Sequence, residues 1–347
     1  MLGAMTADLI GQARGFLTSS KALGGVAVVG DLAIDRFVFG SVDRISPEAP
    51  VPVLLVDRTQ DRPGCAANVA VNLTAWRPTF SFPVHVVGVV GTDVGGDALE
   101  TSLREQGVDL HLIRDGSRPT TLKTRFVAGS QHQLLRVDAE TSQRIGATVA
   151  DQIYARVEKL LPQIKCLVVQ DYAKGLFSES LLSRILTAAR KAGVMTLVDP
   201  HPRTPGAHYK GASLITPNVA EAEILLGRSL HKGIDNKEIA QAGTELKNKF
   251  QLDMAIITRS GHGMTLVDRE GKDHHFPALA RAVYDVTGAG DTVAAVMAAS
   301  FAAGLSPSMA CILSTAAASV VVGKVGTATA SVSEILDELR EFKSLNT

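Results

Sequence analysis

The 347-residue chain is short of several things, and each shortage removes a class of function. Net charge is absent, because 35 Lys and Arg balance 35 Asp and Glu. The basic field of a general nucleic-acid binder is therefore missing, although a local cation cluster for a small anionic ligand still fits within a neutral total. Cysteine is scarce. Cys65, Cys166 and Cys311 lie far apart and show neither metal-ligand nor redox-pair spacing, which predicts reduced thiols in a cytoplasmic protein. Long hydrophobic runs are lacking too. The most apolar stretch, 293–304, is too short to cross a bilayer, and the N-terminus has no basic region followed by an apolar run and a cleavage site. Neither membrane insertion nor export is expected. Aromatics are only 5%, yet 46% of the chain is hydrophobic against 20% charged, which supports a large core and excludes general disorder.

What the chain has is alternation. Unbroken apolar runs at 26–29, 84–90, 166–169, 195–198, 213–215 and 254–258 suit parallel strands covered on both faces. Helical patterns at 95–106, 179–192, 218–226 and 237–249 separate them, which predicts right-handed βαβ units and a layered αβα sheet. Residues 1–24 read as a helical extension, with Leu9, Ala13, Phe16 and Leu17 near helical spacing. Residues 25–343 read as one body. Two segments break the rhythm: 36–57, around a Pro-rich turn, and 120–138. Both look like short antiparallel strands joined by turns, and together they predict a small β-sheet lid.

Four short stretches can carry chemistry. The first is Asp285-Val286-Thr287-Gly288-Ala289-Gly290-Asp291, ahead of an apolar helix. Glycines at a helix N-terminus leave amides open to phosphate or a developing anion. A carboxylate in that first turn suits proton removal from a hydroxyl attacking phosphorus; it equally suits a plain helix cap. In the second, Asn218 and Glu221 are three apart on one helix face and can share a hydrated cation, or form a capping box. The third, 63–70, places Gly64 and Asn68 where small residues open a helix, either for close approach of a polyol or for tight packing. The fourth, 30–35, puts Asp35 beyond the first strand, where ligands of open α/β sheets bind, or where a turn carboxylate is simply solvated.

Taken together, these stretches resemble the PfkB, or ribokinase-type, carbohydrate kinases. The Asp285–Asp291 stretch is similar to that family's C-terminal signature, 64–68 to its N-terminal one, and Asn218 with Glu221 to its Asn-x-x-Glu motif. The resemblance spans roughly residues 26–339. Within the family, 44–53, 62–64, 135–138, 171–175, 284–291 and 321–327 look most like the branch that phosphorylates D-glycero-β-D-manno-heptose 7-phosphate. The resemblance implies ATP as donor and Mg²⁺ as cofactor. It implies Asp291 as base, with Gly288, Ala289 and Gly290 stabilising the transferring phosphoryl group. Asp35, Gly64 and Asn68 would bind sugar hydroxyls, and Lys123, Arg125, Arg136 and Lys174 the substrate's own phosphate. Asn218 and Glu221 would hold magnesium through water. Thr258, Gly261, Gly263 and Thr327, with Asn218, Gly288 and Gly290, would line the nucleotide. A homodimer through the lid is implied as well, and the end of the match near 339 predicts a single-activity kinase.

The chain departs from the pattern at three places. Cys65 replaces a glycine and suggests redox sensitivity, His201 replaces a lysine after Asp199-Pro200, and Thr315 stands where the heptose branch tends to have asparagine. These keep two alternatives open: a kinase of ribose, fructose or a nucleoside, and a non-catalytic sugar-phosphate sensor. A dehydrogenase is disfavoured, because Gly88, Gly91 and Gly95 do not have dinucleotide-fingerprint spacing.

Overall fold

In the computed structural model, which describes residues 2–19, 22–129, 132–231, 235–279, 283–324 and 326–345, apolar strands alternate with amphipathic helices as their periods dictate. After α1 (Leu2–Leu17) come β1 (Gly25–Gly30), the long hairpin β2 (Leu32–Ile45) and β3 (Pro52–Cys65), and α2 (Ala66–Thr74). The chain continues through β4 (Val84–Val90), α3 (Val94–Glu105), β5 (Asp109–Arg114), β6 (Thr121–Ala128) and β7 (His132–Ala139). Then follow α4 (Ala147–Leu160), β8 (Ile164–Gln170), α5 (Glu179–Lys191), β9 (Met195–Asp199), β10 (Leu214–Ile215), α6 (Val219–Leu226) and α7 (Asn236–Lys249). The last third holds β11 (Met254–Thr258), β12 (Met264–Val267), β13 (Asp273–Phe276), α8 (Ala289–Ala302), α9 (Pro307–Val322) and α10 (Val332–Leu345).

Helix α5 shows how locally these elements are specified. Leu181, Leu182, Ile185, Leu186 and Ala189 form one buried stripe, Ser178 caps the first turn by accepting from the Leu181 amide, and Arg190 and Lys191 complement the dipole at its end.

Nine strands form the main sheet in the order β13-β12-β11-β10-β9-β8-β1-β4-β5. Strands β1 and β8 are buried on both faces, so their side chains feed two cores. Val26, Val28, Cys166 and Val168 pack under α2, α8 and α9, while Ala27, Val29, Leu167 and Val169 pack under α4, α5 and α7. Each fully buried Val or Leu contributes roughly 1.5–3 kcal/mol relative to exposure. The order reverses at β1: the chain moves outward first to β4 and β5, later to β8, β9 and β10. Crevices for ligands open at such a switch point, beyond the carboxyl ends of the strands, and Asp31, Gln170 and Asp199 stand at or just past those ends.

The second sheet is the lid, ordered β3-β2-β6-β7. It corrects the sequence expectation in two respects. Strands β2 and β3 run 14 residues each, well past the expected segments, and the central β2–β6 pair is parallel, with Asp35 opposite Lys123 and Phe37 opposite Arg125. Alternation read along one strand gives no information about the direction of its neighbour, and the intervening α2–β5 excursion is what returns the chain in parallel. Gly64 and Cys65, expected to open a helix, instead end β3; α2 begins at Ala66.

Candidate active site

Helix α8 starts at Gly288, whose φ of +78 is the left-handed conformation that glycine adopts without strain. A Cβ there would lie 2.8 Å from Asn68 Nδ2 and 3.3 Å from the Thr327 side chain, so the position also requires glycine sterically. The first amides of a helix have no carbonyl partner within it. That of Ala289 bonds the Val286 carbonyl at 3.2 Å, and Gly290 lines the two cavities that meet at this terminus.

Asp291, one turn in, is 4% exposed and held by three donors. Asn68 Nδ2 donates to Oδ2 at 2.8 Å, while Gln170 Nε2 and the Tyr172 hydroxyl donate to Oδ1 at 3.0 and 2.8 Å. Burial pushes its carboxyl up to about 6, against the pull of Asn68, Tyr172 and the Lys123 charge. Asn68 is itself fixed by Asn72, whose Oδ1 accepts from Thr292 in α8. This cross-link between α2 and α8 sets the angle from which the amide meets the acid.

On the lid side, Asp35 is buried, with Arg125 Nη1 2.5 Å from its Oδ1. A Cβ on Gly64 would come within 2.5 Å of Asp35 Oδ2, so close approach of the β3 backbone depends on that glycine. Lys123 reaches the Cys65 sulfur at 3.3 Å and stands 5.0 Å from the centre of the Tyr172 ring. Asp35, Gly64, Asn68, Lys123 and Arg125 therefore converge where the lid meets α2. The Cys65 thiol is buried and pushed up to about 12, chiefly by desolvation, a setting that disfavours the thiolate through which a cysteine reacts. Two other expected cations are engaged elsewhere. Arg136, half-exposed on β7, forms a fork with Asp138 at 2.9 and 2.7 Å, and Lys174 Nζ meets Glu140 at 2.5 Å.

On the far side of Gly290, a cavity of about 370 Å³ is lined by Thr258, Gly261, Gly263, Asn218 and, from α9, Thr315, Ala318, Ser319 and Val322. Thr327 stands apart from it, beside Gly288: its carbonyl accepts from Arg62 at 3.1 Å, and its buried hydroxyl has no protein partner. A smaller cleft of about 200 Å³ joins Asp199, His201, Asn218, Glu221 and Tyr172. Asn218 and Glu221 form a reciprocal capping box at α6, and both still face this cleft. Asp199 is pushed up to about 8 by burial first and then by the charges of Glu221 and Asp291. An acid raised by neighbouring acids in this way fits a place a cation would neutralise. Among the described residues no three His, Cys, Asp or Glu side chains are grouped to ligate a metal directly. A sparse set of oxygens facing a cleft of this size fits a hydrated Mg²⁺, which keeps several of its own waters. His201 is held below its usual range by burial, so it brings hydrogen bonding rather than charge; its Nδ1 accepts from the Arg203 amide.

Sequence reasoning missed Gln170, Tyr172 and Asp199 as members of the site. Their signal was positional: each lies at or just beyond the carboxyl end of a central strand.

Comparison with known proteins follows the same lines. Residues 25–334 match the pfkB family of carbohydrate kinases. The bifunctional protein HldE of Azotobacter vinelandii is 45% identical over 310 residues, covering 89% of this chain and 62% of that protein. The HldE protein of Vibrio cholerae is 40% identical over 324 residues, with coverages of 93% and 65%. The chain thus spans 62–65% of the length of these relatives. Among solved structures, Arabidopsis thaliana ribokinase complexed with ribose and ATP superposes with a TM-score of 0.71 at 20% identity, over 92% of this chain and 99% of that one. Escherichia coli phosphofructokinase-2 in complex with substrates and products gives 0.75 at 18%, over 92% and 100%. At those identities the likeness establishes the ribokinase-like fold. No described helix is long and apolar enough to cross a membrane.

Proposed function

The chain belongs to the pfkB family of carbohydrate kinases, and on that premise we propose that it moves the γ-phosphoryl group of ATP to the anomeric hydroxyl of D-glycero-β-D-manno-heptose 7-phosphate, giving the 1,7-bisphosphate. The observation that carries the reading is Asp291, a buried acid with a raised pKa at the open end of a helix. The acceptor is taken from the stretches 44–53, 135–138, 171–175 and 321–327, which resemble the heptose branch.

Asp291 takes the hydroxyl proton as the sugar oxygen bonds to phosphorus and the bond to the ADP leaving oxygen breaks. The α8 dipole, with the amides of Gly288 and Gly290, stabilises the charge on the transferring group. Ala289 contributes less directly than expected, because its amide already bonds Val286. Asp35, Asn68 and the backbone at Gly64 orient sugar hydroxyls. Lys174 and Arg136 exchange Glu140 and Asp138 for the substrate's phosphate, with Lys123 and Arg125 adding charge beside them. Thr258, Gly261, Gly263 and Asn218 border the nucleotide in the larger cavity, while Thr327, outside that cavity, offers its hydroxyl beside Gly288. Asn218 and Glu221 would hold magnesium through water, and the ion would supply neutralisation of the phosphate charge. The lid excludes water, favouring sugar over hydrolysis. Two lids pair the chain as a homodimer in the cytoplasm.

A second reading keeps the chemistry and changes the acceptor to free ribose, fructose or a nucleoside. One observation favours it: Arg125, Arg136 and Lys174 are each already paired with a carboxylate. ADP release measured across these acceptors decides between the two. The first reading expects heptose 7-phosphate to give the highest kcat/KM; turnover of free sugars without turnover of heptose 7-phosphate selects the second.

A further inference from the structure

A carboxylate oxygen has two lone pairs, and the two oxygens of Asp291 use theirs unequally. Oδ1 accepts from Gln170 Nε2 at 3.0 Å and from the Tyr172 hydroxyl at 2.8 Å, so it is filled. Oδ2 accepts from Asn68 Nδ2 at 2.8 Å. Asn68 is also the group a Cβ on Gly288 would strike, which places Oδ2 toward the mouth of α8, where the transfer occurs.

The phenol is not left to find this position by chance. The Tyr172 amide donates to the buried Asp31 at 2.9 Å, and the Lys174 amide donates to the same oxygen at 3.1 Å. Between them Ala173 has a φ of +52, an uncommon conformation for a residue with a Cβ, and its amide bonds Asp171 at 2.7 Å. A strained backbone held by two buried acids fixes the ring. Lys123 stands over the ring face, and a cation there withdraws electron density and strengthens the hydroxyl as a donor.

We propose that Tyr172 is a positioning residue for the base: with Gln170 it saturates Asp291 Oδ1, so that Oδ2 is the oxygen that receives the substrate's proton. The inference rests on Asp291 being the base and adds which of its atoms reacts and what selects it. The other ionisable groups facing Asp291 are Asp35 on β2, Cys65 at the end of β3, Lys123 on β6 and Asp199 at the end of β9. None of them donates to Oδ1.

A donor to the ionised form holds a carboxyl down, so losing the hydroxyl raises it. The test is a carbon-13 carboxyl NMR titration of Tyr172→Phe in the ligand-free protein, with the Asp291 signal assigned by its loss in Asp291→Asn. The midpoint is expected to rise by about one pH unit, the scale of a hydrogen bond to a charged group. Gln170→Leu, which removes the other donor to Oδ1, moves it in the same direction and serves if the first variant folds poorly. An unmoved midpoint in the folded variant overturns the proposal, whatever happens to turnover. Because no acceptor is present, an error in the substrate assignment leaves this result unaffected.

Discussion

At the scale of single residues, the site is built from side chains kept in costly states. Cys65 has φ 55 and ψ −132, a region that L-residues seldom occupy. There the usual order of stability reverses: Cys65→Gly is expected to unfold at higher temperature than Cys65→Ala, by about 1 kcal/mol, because glycine removes the strain that alanine keeps. Asp199 offers a test by pH. Its folded pKa of about 8 lies above the ordinary 3.8, so between those values the folded chain holds a proton the unfolded chain has released, and this contribution to stability is lost as pH rises. Asp199→Asn is therefore expected to stabilise the ligand-free protein relative to wild type, with a gain on the order of 1 kcal/mol or more that grows between pH 5 and pH 8. Thermal unfolding at the two pH values checks both sign and trend. The sequence disclosed Asp291, Asp35 and Asn68 because each lies within a recognisable motif. Gln170 and Tyr172 carried only the positional signal of a strand end, because their partner Asp291 is 121 and 119 residues away and no local motif marks a side chain that bonds a distant helix.

At the scale of elements, period and punctuation told most of the story. Strands β4 and β11 were legible to the residue, since apolar runs bounded by turns have few other outcomes. The lid was legible as a sheet but not in its pairing, because strand direction depends on the path between β2 and β6. Nor could spacing decide between a cap and a ligand pair at Asn218 and Glu221. The structure shows the cap formed, with both residues still facing the cleft, so forming the cap does not withdraw the pair from it. The start of α8 is the element on which most depends. Gly288→Ala would strain a positive φ and drive a methyl toward Asn68, displacing the amide from Asp291. The expected outcome is a stability loss of about 1–2 kcal/mol by denaturant unfolding, accompanied by a fall in kcat larger than that loss explains.

At the scale of the whole molecule, the lid is an open sheet whose edge strands carry apolar side chains into solvent: Leu55 on β3 is 62% exposed and Leu135 on β7 56%. Exposed apolar edges of this kind invite pairing, and the proposed pairing through the lid predicts a wild-type dimer in sedimentation velocity at micromolar concentration that Leu135→Glu converts to monomer; a monomeric wild type, or a dimer the substitution leaves unchanged, contradicts it. The lid, the sheet switch point and α8 all converge on one carboxylate, and the account stands or falls there. Its most direct test is turnover and ATP binding of Asp291→Asn, measured side by side. The variant should bind nucleotide as the wild type does and lose about 10²–10⁴-fold in kcat, whereas turnover within a few-fold of wild type would contradict the assignment of the base.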